Sequence, residues 1–295
     1  MDPDTDAYAF LDAGAGRRLE RFGSLVLDRP APGAAWAPTM DAATWDAATA
    51  RFERPPGASA GEWEPAGALP ERWTLEVDGL PLELRPTPAG QVGIFPEHLP
   101  VARWAAAQAA MVTEREGRPA AVLNLFAYTG LATLLLARAG ATVAHVDASR
   151  PAVAWARRNA GLAGLDDRPV RWLVEDAARF VAREARRGRR YDGAVLDPPT
   201  YGHAPDGARW RLEDGLTPLL AGIRALVEGP HAFVACTAHT TGLDPGELEH
   251  VVRQGLELGP RAVQVQELVL GGGSGARLAT GWAVLVGADG TGEGR

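Results

Sequence analysis

Three short segments of the chain combine residue types that could bind a nucleoside and act on a second substrate. The first, residues 124–130, reads Asn-Leu-Phe-Ala-Tyr-Thr-Gly. Its glycine, Gly130, lets the backbone approach a ligand closely because it has no Cβ. The second is Asp147, seventeen positions later, where a carboxylate could accept hydrogen bonds from both hydroxyls of a ribose. The other interpretation of Asp147 is a negative charge favoured by the dipole of the next helix.

The third segment runs from Asp197 through Pro198, Pro199 and Thr200 to Tyr201. Proline restricts the backbone and has no amide hydrogen, so the turn is stiff and its carbonyl oxygens are left to accept from an amino group. The Tyr201 ring could stack on a planar substrate. A rigid structural turn is the alternative, but a strand that runs directly into Asp-Pro-Pro favours a functional role.

The glycine pattern that cradles a dinucleotide is absent from the first segment. That pattern is Gly-x-Gly-x-x-Gly, whereas residues 124–130 contain Gly130 alone. An adenosine ligand without a pyrophosphate does not require it. Asp176 either contacts an adenine amino group or caps its own helix, and the sequence leaves both open. A nicotinamide-dependent oxidoreductase is the alternative from a different class.

Composition restricts the other kinds of chemistry. The 295 residues include one cysteine, Cys236, which excludes an internal disulfide and a multi-cysteine metal site. Because no histidine pair has the spacing of a helical zinc motif, no metal is expected. Every basic residue is arginine, which excludes a lysine Schiff base and a phosphate-loop lysine. The net charge of −7 weighs against loose binding to a phosphate backbone.

The sequence indicates neither a membrane span nor an export signal. No apolar run is long enough to cross a bilayer. The acidic start, Met1-Asp2-Pro3-Asp4, lacks the basic and apolar regions of a signal peptide. We therefore expect a cytoplasmic protein without a membrane partner.

Alternating strands and helices from residue 120 onward must position the three segments. Short apolar runs separated by helical patterns predict a parallel sheet with helices on both faces. The predicted strands are 121–125, 141–147, 170–174, 191–197 and 231–237, followed by a terminal hairpin of 262–270 and 279–286. This gives seven strands with one antiparallel member. Ligands bind beyond the carboxyl ends of such strands, where the three segments lie.

The beginning of the chain has a different character. Repeated prolines predict an irregular segment over residues 1–70. Its tryptophans Trp36, Trp45 and Trp63 are expected to pin it down by burying their rings. Alternating apolar residues over 73–85 predict a β-hairpin.

Two domains follow from these patterns. We expect a small β-rich N-terminal region over residues 1–92, which includes the hairpin. One α/β domain is expected over residues 93–295.

Taken in order, the segments resemble a known family. Residues 123–130, Asp147 and residues 196–201 are similar to the motifs of class I S-adenosylmethionine-dependent methyltransferases. The most similar group includes the 23S ribosomal RNA cytosine-C5 methyltransferases, and residues 95–98 and 209–214 also match its members. The resemblance covers most of the chain. It implies an α/β fold, a Rossmann-like seven-stranded methyltransferase sheet with helices on both faces, plus the small N-terminal β-rich region.

The resemblance also implies a role for each segment. S-adenosyl-L-methionine is the implied cofactor, and its sulfonium methyl group passes in line to a nucleophile. Phe126 and Gly130 would shape the methionine side of the pocket, Asp147 would hold the ribose, and Asp176 would contact the adenine. The expected cofactor-binding residues are Asn124, Phe126, Tyr128, Thr129, Gly130, Asp147, Ala148, Asp176, Ala177 and Asp197. The expected catalytic residues are Asp197, Pro198, Pro199 and Tyr201.

The acceptor is less defined than the cofactor. By resemblance, RNA similar to ribosomal RNA is the first expectation. A small molecule or a protein is the second, favoured by the acidic charge and because the PUA domain that starts the ribosomal enzymes has no counterpart here. A non-enzymatic adenosine-sensing module is a further alternative. The cytosine-C5 enzymes use a cysteine where this chain has Thr240, and Cys236 is expected to be a small buried strand residue instead.

Two remaining groups have both a functional and a structural interpretation. His203 and His239 follow predicted strands and could serve as a base, although a histidine in a polar loop is more often solvated. Five arginines after the third strand could contact phosphate or form a solvated helix face. They are Arg183, Arg186, Arg187, Arg189 and Arg190.

Overall fold

The chain divides into two compact units. The computed structural model describes residues 7–55, 57–58, 60–203, 209–240, 242–259, 263–271 and 275–287. The first unit is Met1–Glu97 with Val269–Thr280, and the second is His98–Leu268 with Gly281–Arg295. The division at Glu97 lies close to the predicted boundary after residue 92, but the first unit also takes part of the terminal hairpin. The predicted domain assignment itself stays a prediction.

The first unit consists of two antiparallel-rich sheets. Its elements are β1 (Tyr8–Gly14), β2 (Arg17–Phe22), β3 (Leu25–Pro30), α1 (Ala42–Asp46), β4 (Ala50–Glu53), β5 (Glu62–Glu64), β6 (Trp73–Val77) and β7 (Leu80–Leu84). The first five strands form one sheet in sequence order, and β6 pairs with β7. The predicted hairpin is confirmed. Asp78 and Gly79 both have positive φ (54° and 71°), as the tightest hairpin turns require.

The expectation of an irregular segment over residues 1–70 is wrong. The hydrophobic pattern does not identify strands β1 to β3, because their buried positions include charged side chains. Glu20 and Arg29 are 0% and 1% exposed, and Arg29 Nε donates to Glu20 Oε2 at 2.8 Å. Burial opposes ionisation, but Arg18 and Arg29 lower the pKa of Glu20 below its usual value. Buried charges persist when they are paired in this way, so the strands lack the usual apolar alternation.

The tryptophans of this unit anchor it through their indole nitrogens more than through buried rings. Trp36 is 45% exposed, so its expected burial is wrong; Trp45 and Trp63 are half-buried. Each indole N–H donates a hydrogen bond. Trp36 donates to the Ala13 carbonyl oxygen at 2.8 Å. Trp45 donates to the Asp12 carboxylate at 3.1 Å, and Trp63 donates to the Thr87 carbonyl oxygen at 3.0 Å.

The rest of the chain alternates strands and helices. In chain order the elements are α2 (Leu99–Glu116), β8 (Ala121–Leu125), α3 (Leu131–Arg138), β9 (Thr142–Asp147), α4 (Arg150–Leu162), β10 (Val170–Val174), α5 (Ala177–Arg186), β11 (Gly193–Leu196), β12 (Tyr201–His203), β13 (Arg209–Arg211), α6 (Leu212–Arg224), β14 (Phe233–Ala238), α7 (Pro245–Leu256), β15 (Gln264–Gly271) and β16 (Arg277–Val286). Polar caps start three of the helices: Ser149, Asp176 and Asp244 each accept from a main-chain N–H one turn ahead.

The predicted seven-stranded sheet is confirmed. Its strand order is β10-β9-β8-β11-β14-β16-β15, and β16 runs antiparallel to β14. The buried side chains of β8 alternate between two apolar clusters: Leu123 and Leu125 belong to one, and Val122 to the other. Helices therefore cover both faces, as the sequence predicts. A glycine-rich turn over residues 271–275 is predicted between the strands of the terminal hairpin, and its residues 272–274 lie outside the described residues.

The order of the strands places a crevice at one point of the sheet. From β8 the chain proceeds outward to β9 and β10, and then returns to β11 on the other side of β8. Ligands of open α/β sheets bind at such a reversal, beyond the carboxyl ends of the strands. The loop after β8 and the turn after β11 flank this point. Within the described residues, no helix is long and apolar enough to cross a membrane.

Candidate active site

The loop after β8 has an unusual backbone. Phe126, Tyr128 and Gly130 have φ values of 55°, 49° and 95°. Positive φ is uncommon for residues with a side chain, and each such residue costs about 1–3 kcal/mol. Conformations of this kind persist where the surroundings enforce them, and they concentrate at functional sites. The expected sharp turn is therefore present and is tighter than a single glycine indicates.

Hydrogen bonds from two neighbouring elements hold this loop in place. The Tyr128 main-chain N–H donates to Asp147 Oδ2 at 2.8 Å, at the end of β9. Asn159, buried in α4, donates from Nδ2 to the Thr129 carbonyl oxygen at 2.9 Å. A Cβ added at Gly130 would lie 3.1 Å from the Ala156 Cβ. The protein's own groups thus hold the loop at both its middle and its end.

Asp147 connects this loop to the next helix. Its Oδ1 accepts from the Ser149 N–H at 2.8 Å, while Oδ2 accepts from Tyr128. Burial raises the pKa of Asp147 above its usual value, although these two hydrogen bonds oppose the rise. Each carboxylate oxygen has two lone pairs, so one on each oxygen is left for a ribose hydroxyl. The ribose role stays a prediction that this geometry supports.

Asn124 is not brought together with the other predicted cofactor residues by its side chain. It is 3% exposed, and its Nδ2 donates to Thr133 Oγ1 at 2.8 Å. The same hydroxyl lies 2.9 Å from His145 Nδ1. Burial lowers the pKa of His145 to about 3, so this ring is neutral. The amide of Asn124 therefore serves the packing of α3 against the sheet, and any cofactor contact would have to come from its main chain.

The predicted adenine side lies at the end of β10. Val174 pairs with Asp147 in the parallel register, which brings the two strand ends together. Asp176 Oδ1 accepts from the Arg179 N–H at 2.9 Å, so its helix-capping role is confirmed. Its adenine contact stays a prediction, and the second carboxylate oxygen is the atom to make it. Ala148 is exposed at the site and Ala177 is buried.

On the other side of the crevice, Asp197 begins the Asp-Pro-Pro turn. Leu196 pairs with Leu125 of β8 and with Cys236 of β14, so Asp197 lies beside the loop that starts at Phe126. Thr237 Oγ1 donates to Asp197 Oδ1 at 2.5 Å. The structure therefore brings the two halves of the predicted site together.

Two histidines surround the Asp197 carboxylate. His239 Nε2 lies 3.3 Å from Asp197 Oδ1, and His98 Nδ1 lies 3.6 Å from Oδ2. Burial opposes ionisation of Asp197, but His98, His239 and Thr237 outweigh it and hold the pKa well below its usual range. The sequence identifies His239 as a candidate base but assigns no role to His98. The signal that could have found His98 is the match of residues 95–98 to the resembled family.

Residues 199–203 and 209–211 form the outer wall of this side. Trp210 Nε1 donates to the Pro199 carbonyl oxygen at 2.8 Å. The sequence predicts that the carbonyl oxygens of this turn accept from an amino group of the substrate, but this one already has a donor within the protein. The Trp210 ring lies 5.4 Å from that of Phe126. Gly215 makes room for it, since a Cβ there would lie 2.5 Å from Trp210 Cζ3. Sequence reasoning missed this contact between the two halves of the site. Pro198 is buried and Pro199 is exposed.

Tyr201 presents an exposed aromatic surface next to this wall. It is 64% exposed and pairs with Arg211 across the β12–β13 hairpin. The Arg211 guanidinium carbon lies 5.9 Å from the centre of the Tyr201 ring. The side chain of His203, the other base candidate, lies outside the described residues.

Cys236 has the environment of a structural residue. It is 0% exposed within β14, and burial together with the Asp197 charge raises the pKa of its thiol well above the usual value. A thiol must ionise to act as a nucleophile, and both effects oppose that ionisation, which supports the structural interpretation. Thr240, which the resemblance aligns with the cysteine of the cytosine-C5 enzymes, is hydrogen-bonded to Thr200 with 3.0 Å between the hydroxyl oxygens.

Several known proteins that are similar to this chain are named or described as methyltransferases. A structure described as a SAM-dependent methyltransferase from Agrobacterium tumefaciens is 34% identical, with a TM-score of 0.87, and the alignment covers 96% of this chain and 90% of that one. The ribosomal RNA large subunit methyltransferase K/L of Stutzerimonas stutzeri is 35% identical over 133 residues, 44% of this chain and 17% of that protein. The ribosomal RNA large subunit methyltransferase I of Shewanella denitrificans is 40% identical over 81 residues, 27% of this chain and 20% of that protein.

These similarities differ in extent. The chain spans about a fifth of the length of the two ribosomal RNA methyltransferases, but nearly all of the Agrobacterium structure. Residues 28–241 also match the family described as S-adenosylmethionine-dependent methyltransferase. The predicted enzyme class and the predicted cofactor, S-adenosylmethionine, are confirmed at the level of the family. On the strength of these matches, the chain belongs to the S-adenosylmethionine-dependent methyltransferases.

Proposed function

We propose that this chain transfers the methyl group of S-adenosylmethionine to RNA, at a base that is presented singly to the crevice between the loop after β8 and the turn after β11. The observation that carries the proposal is that the loop held by Asp147 lies beside the Asp197 turn, which leads to the exposed Tyr201 ring. A cytoplasmic location is part of the proposal.

The donor side supports cofactor binding through its rigidity. The loop is held by hydrogen bonds to Asp147 and Asn159 of the protein itself, and such internal support reduces the conformational freedom lost when a ligand binds. The cofactor itself supplies the activated methyl group. The contribution of the protein is to hold the sulfonium carbon in line with the acceptor atom.

The acceptor side favours a planar group. RNA-binding proteins recognise single bases by stacking them on aromatic rings and guanidinium planes, and Tyr201 with Arg211 offers both within one hairpin. The ionised Asp197 carboxylate can accept a hydrogen bond from an amino or hydroxyl group of the acceptor. The names of the two curated relatives, both ribosomal RNA methyltransferases, support RNA over other planar acceptors.

The arginines after the third strand support recognition of a local feature over broad backbone binding. Arg183 contacts the Glu175 carboxylate, Arg187 lies 3.4 Å from Glu184, and Arg190 lies 2.6 Å from Glu228. These three are paired on the protein surface, which favours the structural interpretation of the group. Together with the net charge of −7, this predicts RNA binding with a weak dependence on salt.

The test is methyl transfer to fractionated cell material. Purified full-length chain is incubated with cofactor radiolabelled in its methyl group and with separate RNA, protein and metabolite fractions from bacterial cells. We expect label in RNA, lost after ribonuclease treatment and reduced with Asp147→Ala when the cofactor is below saturation. Label in the protein or metabolite fraction would replace RNA with the second expected acceptor class.

A binding measurement tests the cofactor independently of the acceptor. Titration calorimetry with S-adenosylhomocysteine should show saturable one-to-one binding, and NAD should show none. Saturable NAD binding with no response to S-adenosylhomocysteine would overturn the proposal. Cofactor binding with no label in any fraction would favour the adenosine-sensing alternative.

A further inference from the structure

Three side chains that commonly bind metals meet at the carboxyl end of the sheet in the second unit. His98 lies at the start of α2, Asp197 follows β11, and His239 follows β14. One ligand atom from each lies within 4.8 Å of the other two. The two Nε2 atoms are 2.5 Å apart, and His239 Nε2 is 3.3 Å from Asp197 Oδ1. Their positions in the chain are remote, so the fold alone creates the cluster.

The cluster has the chemistry of a cation site. Two nitrogens only 2.5 Å apart cannot both carry a proton, so at least one lone pair is directed at the other ring. The neutral imidazole nitrogen is the commonest metal ligand in proteins. Beside the pair, the Asp197 carboxylate supplies a full negative charge. The side chains of His98, Asp197 and His239 are 17%, 27% and 28% exposed, which leaves a path for an ion.

We propose that His98, Asp197 and His239 bind one divalent transition-metal ion. Atoms bound to one tetrahedral zinc at about 2.1 Å lie roughly 3.4 Å from one another. The separation of His239 Nε2 from Asp197 Oδ1, 3.3 Å, is close to that value, and one ligand atom of His98 lies within 4.8 Å of a ligand atom of each of the other two. Binding through both Nε2 atoms requires them to move apart by about 1 Å from their 2.5 Å separation, and the cation displaces any proton held between them.

The ligand set selects the class of ion. Imidazole nitrogen suits zinc, iron, copper and nickel, whereas magnesium and calcium prefer oxygen. Two histidines and one carboxylate leave at least one open position, as in catalytic sites. Thr237 already orients the carboxylate by donating to Oδ1 at 2.5 Å, a contact of the kind that tunes metal ligands. An ion here would act as a Lewis acid beside the Asp197 turn.

This inference goes beyond the proposed function, because metal binding is measured without cofactor or acceptor. Tag-free, full-length chain is treated with a chelating resin and titrated with zinc sulfate in a calorimeter, with magnesium chloride as the comparison. We expect one equivalent of zinc to bind and magnesium to give no saturable binding. Cobalt(II) provides a second readout, since coordination by two imidazoles and a carboxylate gives visible absorption bands.

Matched variants assign the ion to the three residues. His98→Ala and His239→Ala should each weaken zinc binding by at least about tenfold, since removing even a residue that supports a ligand costs that much. His250→Ala, which removes an exposed imidazole on α7, should bind like the parent. Thermal unfolding of each variant verifies that it folds, and His98→Gln and His239→Gln replace any alanine variant that does not.

The outcomes separate the inference from the proposed function. Absence of a saturable zinc equivalent in the folded parent, or equal affinity in the His98, His239 and His250 variants, would overturn the metal site. The cluster would then be a histidine pair that shares one proton. Label transfer to RNA is measured separately, and its failure would leave a measured zinc site intact.

Discussion

The two sides of the crevice are built in different ways. The donor side is made mostly of backbone: a loop of consecutive residues with three positive φ values, which Asp147 and Asn159 hold. The acceptor side is made of side chains from distant parts of the chain, with Asp197 between His98, Thr237 and His239. A backbone site tolerates many side chains and suits an invariant ligand, whereas a side-chain site can change with the substrate.

This difference predicts that variants on the two sides affect different measurements. Donor-side variants should weaken binding of S-adenosylhomocysteine. Acceptor-side variants should lower methyl transfer at saturating cofactor. The four variants that follow run from the largest expected effect to the smallest.

Asp197→Asn should have the largest effect. It removes the charge that His98, His239 and Thr237 stabilise, and loss of such an electrostatic contact at a reacting centre costs about 10²–10³-fold in rate. The measurement is the initial rate of label transfer at saturating cofactor. The distinction between the donor and acceptor sides would be wrong if the rate stayed within tenfold of the parent while cofactor affinity fell.

Asp147→Ala should weaken S-adenosylhomocysteine binding by about 1–3 kcal/mol, the cost of leaving polar partners unsatisfied. Calorimetry gives the affinity. Asp244→Ala is the matched control, because it removes a carboxylate that caps α7 through the Gly246 and Glu247 N–H groups. Unchanged affinity in Asp147→Ala would remove the ribose assignment.

Tyr201→Ala should raise the KM for RNA with little change in cofactor affinity. Stacking of a base on an aromatic ring is worth about 1–3 kcal/mol, which corresponds to roughly 5- to 150-fold in KM when KM reflects binding. Tyr201→Phe keeps the ring and should restore the parent KM. If Phe behaves like Ala, the hydroxyl is the important group and the stacking role is wrong.

Cys236→Ala should have the smallest effect, with label transfer within about twofold of the parent. The thiol is buried and its pKa is raised by burial and by Asp197, which opposes the ionisation that the covalent adduct of a cytosine-C5 mechanism requires. A folded variant that binds cofactor but transfers no methyl group would restore the cysteine mechanism.

The sequence predicts the donor side well because its determinants are local. Gly130, Asp147 and the strands that precede them form one continuous pattern, and apolar runs of the right length predict the sheet. The acceptor side could be predicted only in part. The Asp-Pro-Pro turn is evident, but His98 lies 99 positions before Asp197, and no local spacing connects them.

The strands of the first unit escaped prediction for another physical reason. Hydrophobic alternation identifies a strand when its buried face is apolar, but β2 and β3 bury Glu20 and Arg29 as a pair. A buried salt bridge has no signature in a single sequence, because each partner alone indicates an exposed position. The same holds for Asn124, an expected cofactor residue, whose side chain is buried and donates to Thr133.

The single cysteine makes opening of the sheet measurable. Cys236 is the one thiol in the chain, and it is fully buried in β14, an interior strand of the sheet. A colourless reagent that becomes coloured on reaction with thiols can reach it only when the sheet opens, so the rate of colour formation counts opening events. A ligand that binds the closed state slows the colour by a factor that grows with its concentration relative to Kd. Candidate cofactors, metal ions and RNA fragments can therefore be ranked by how strongly they delay this reaction.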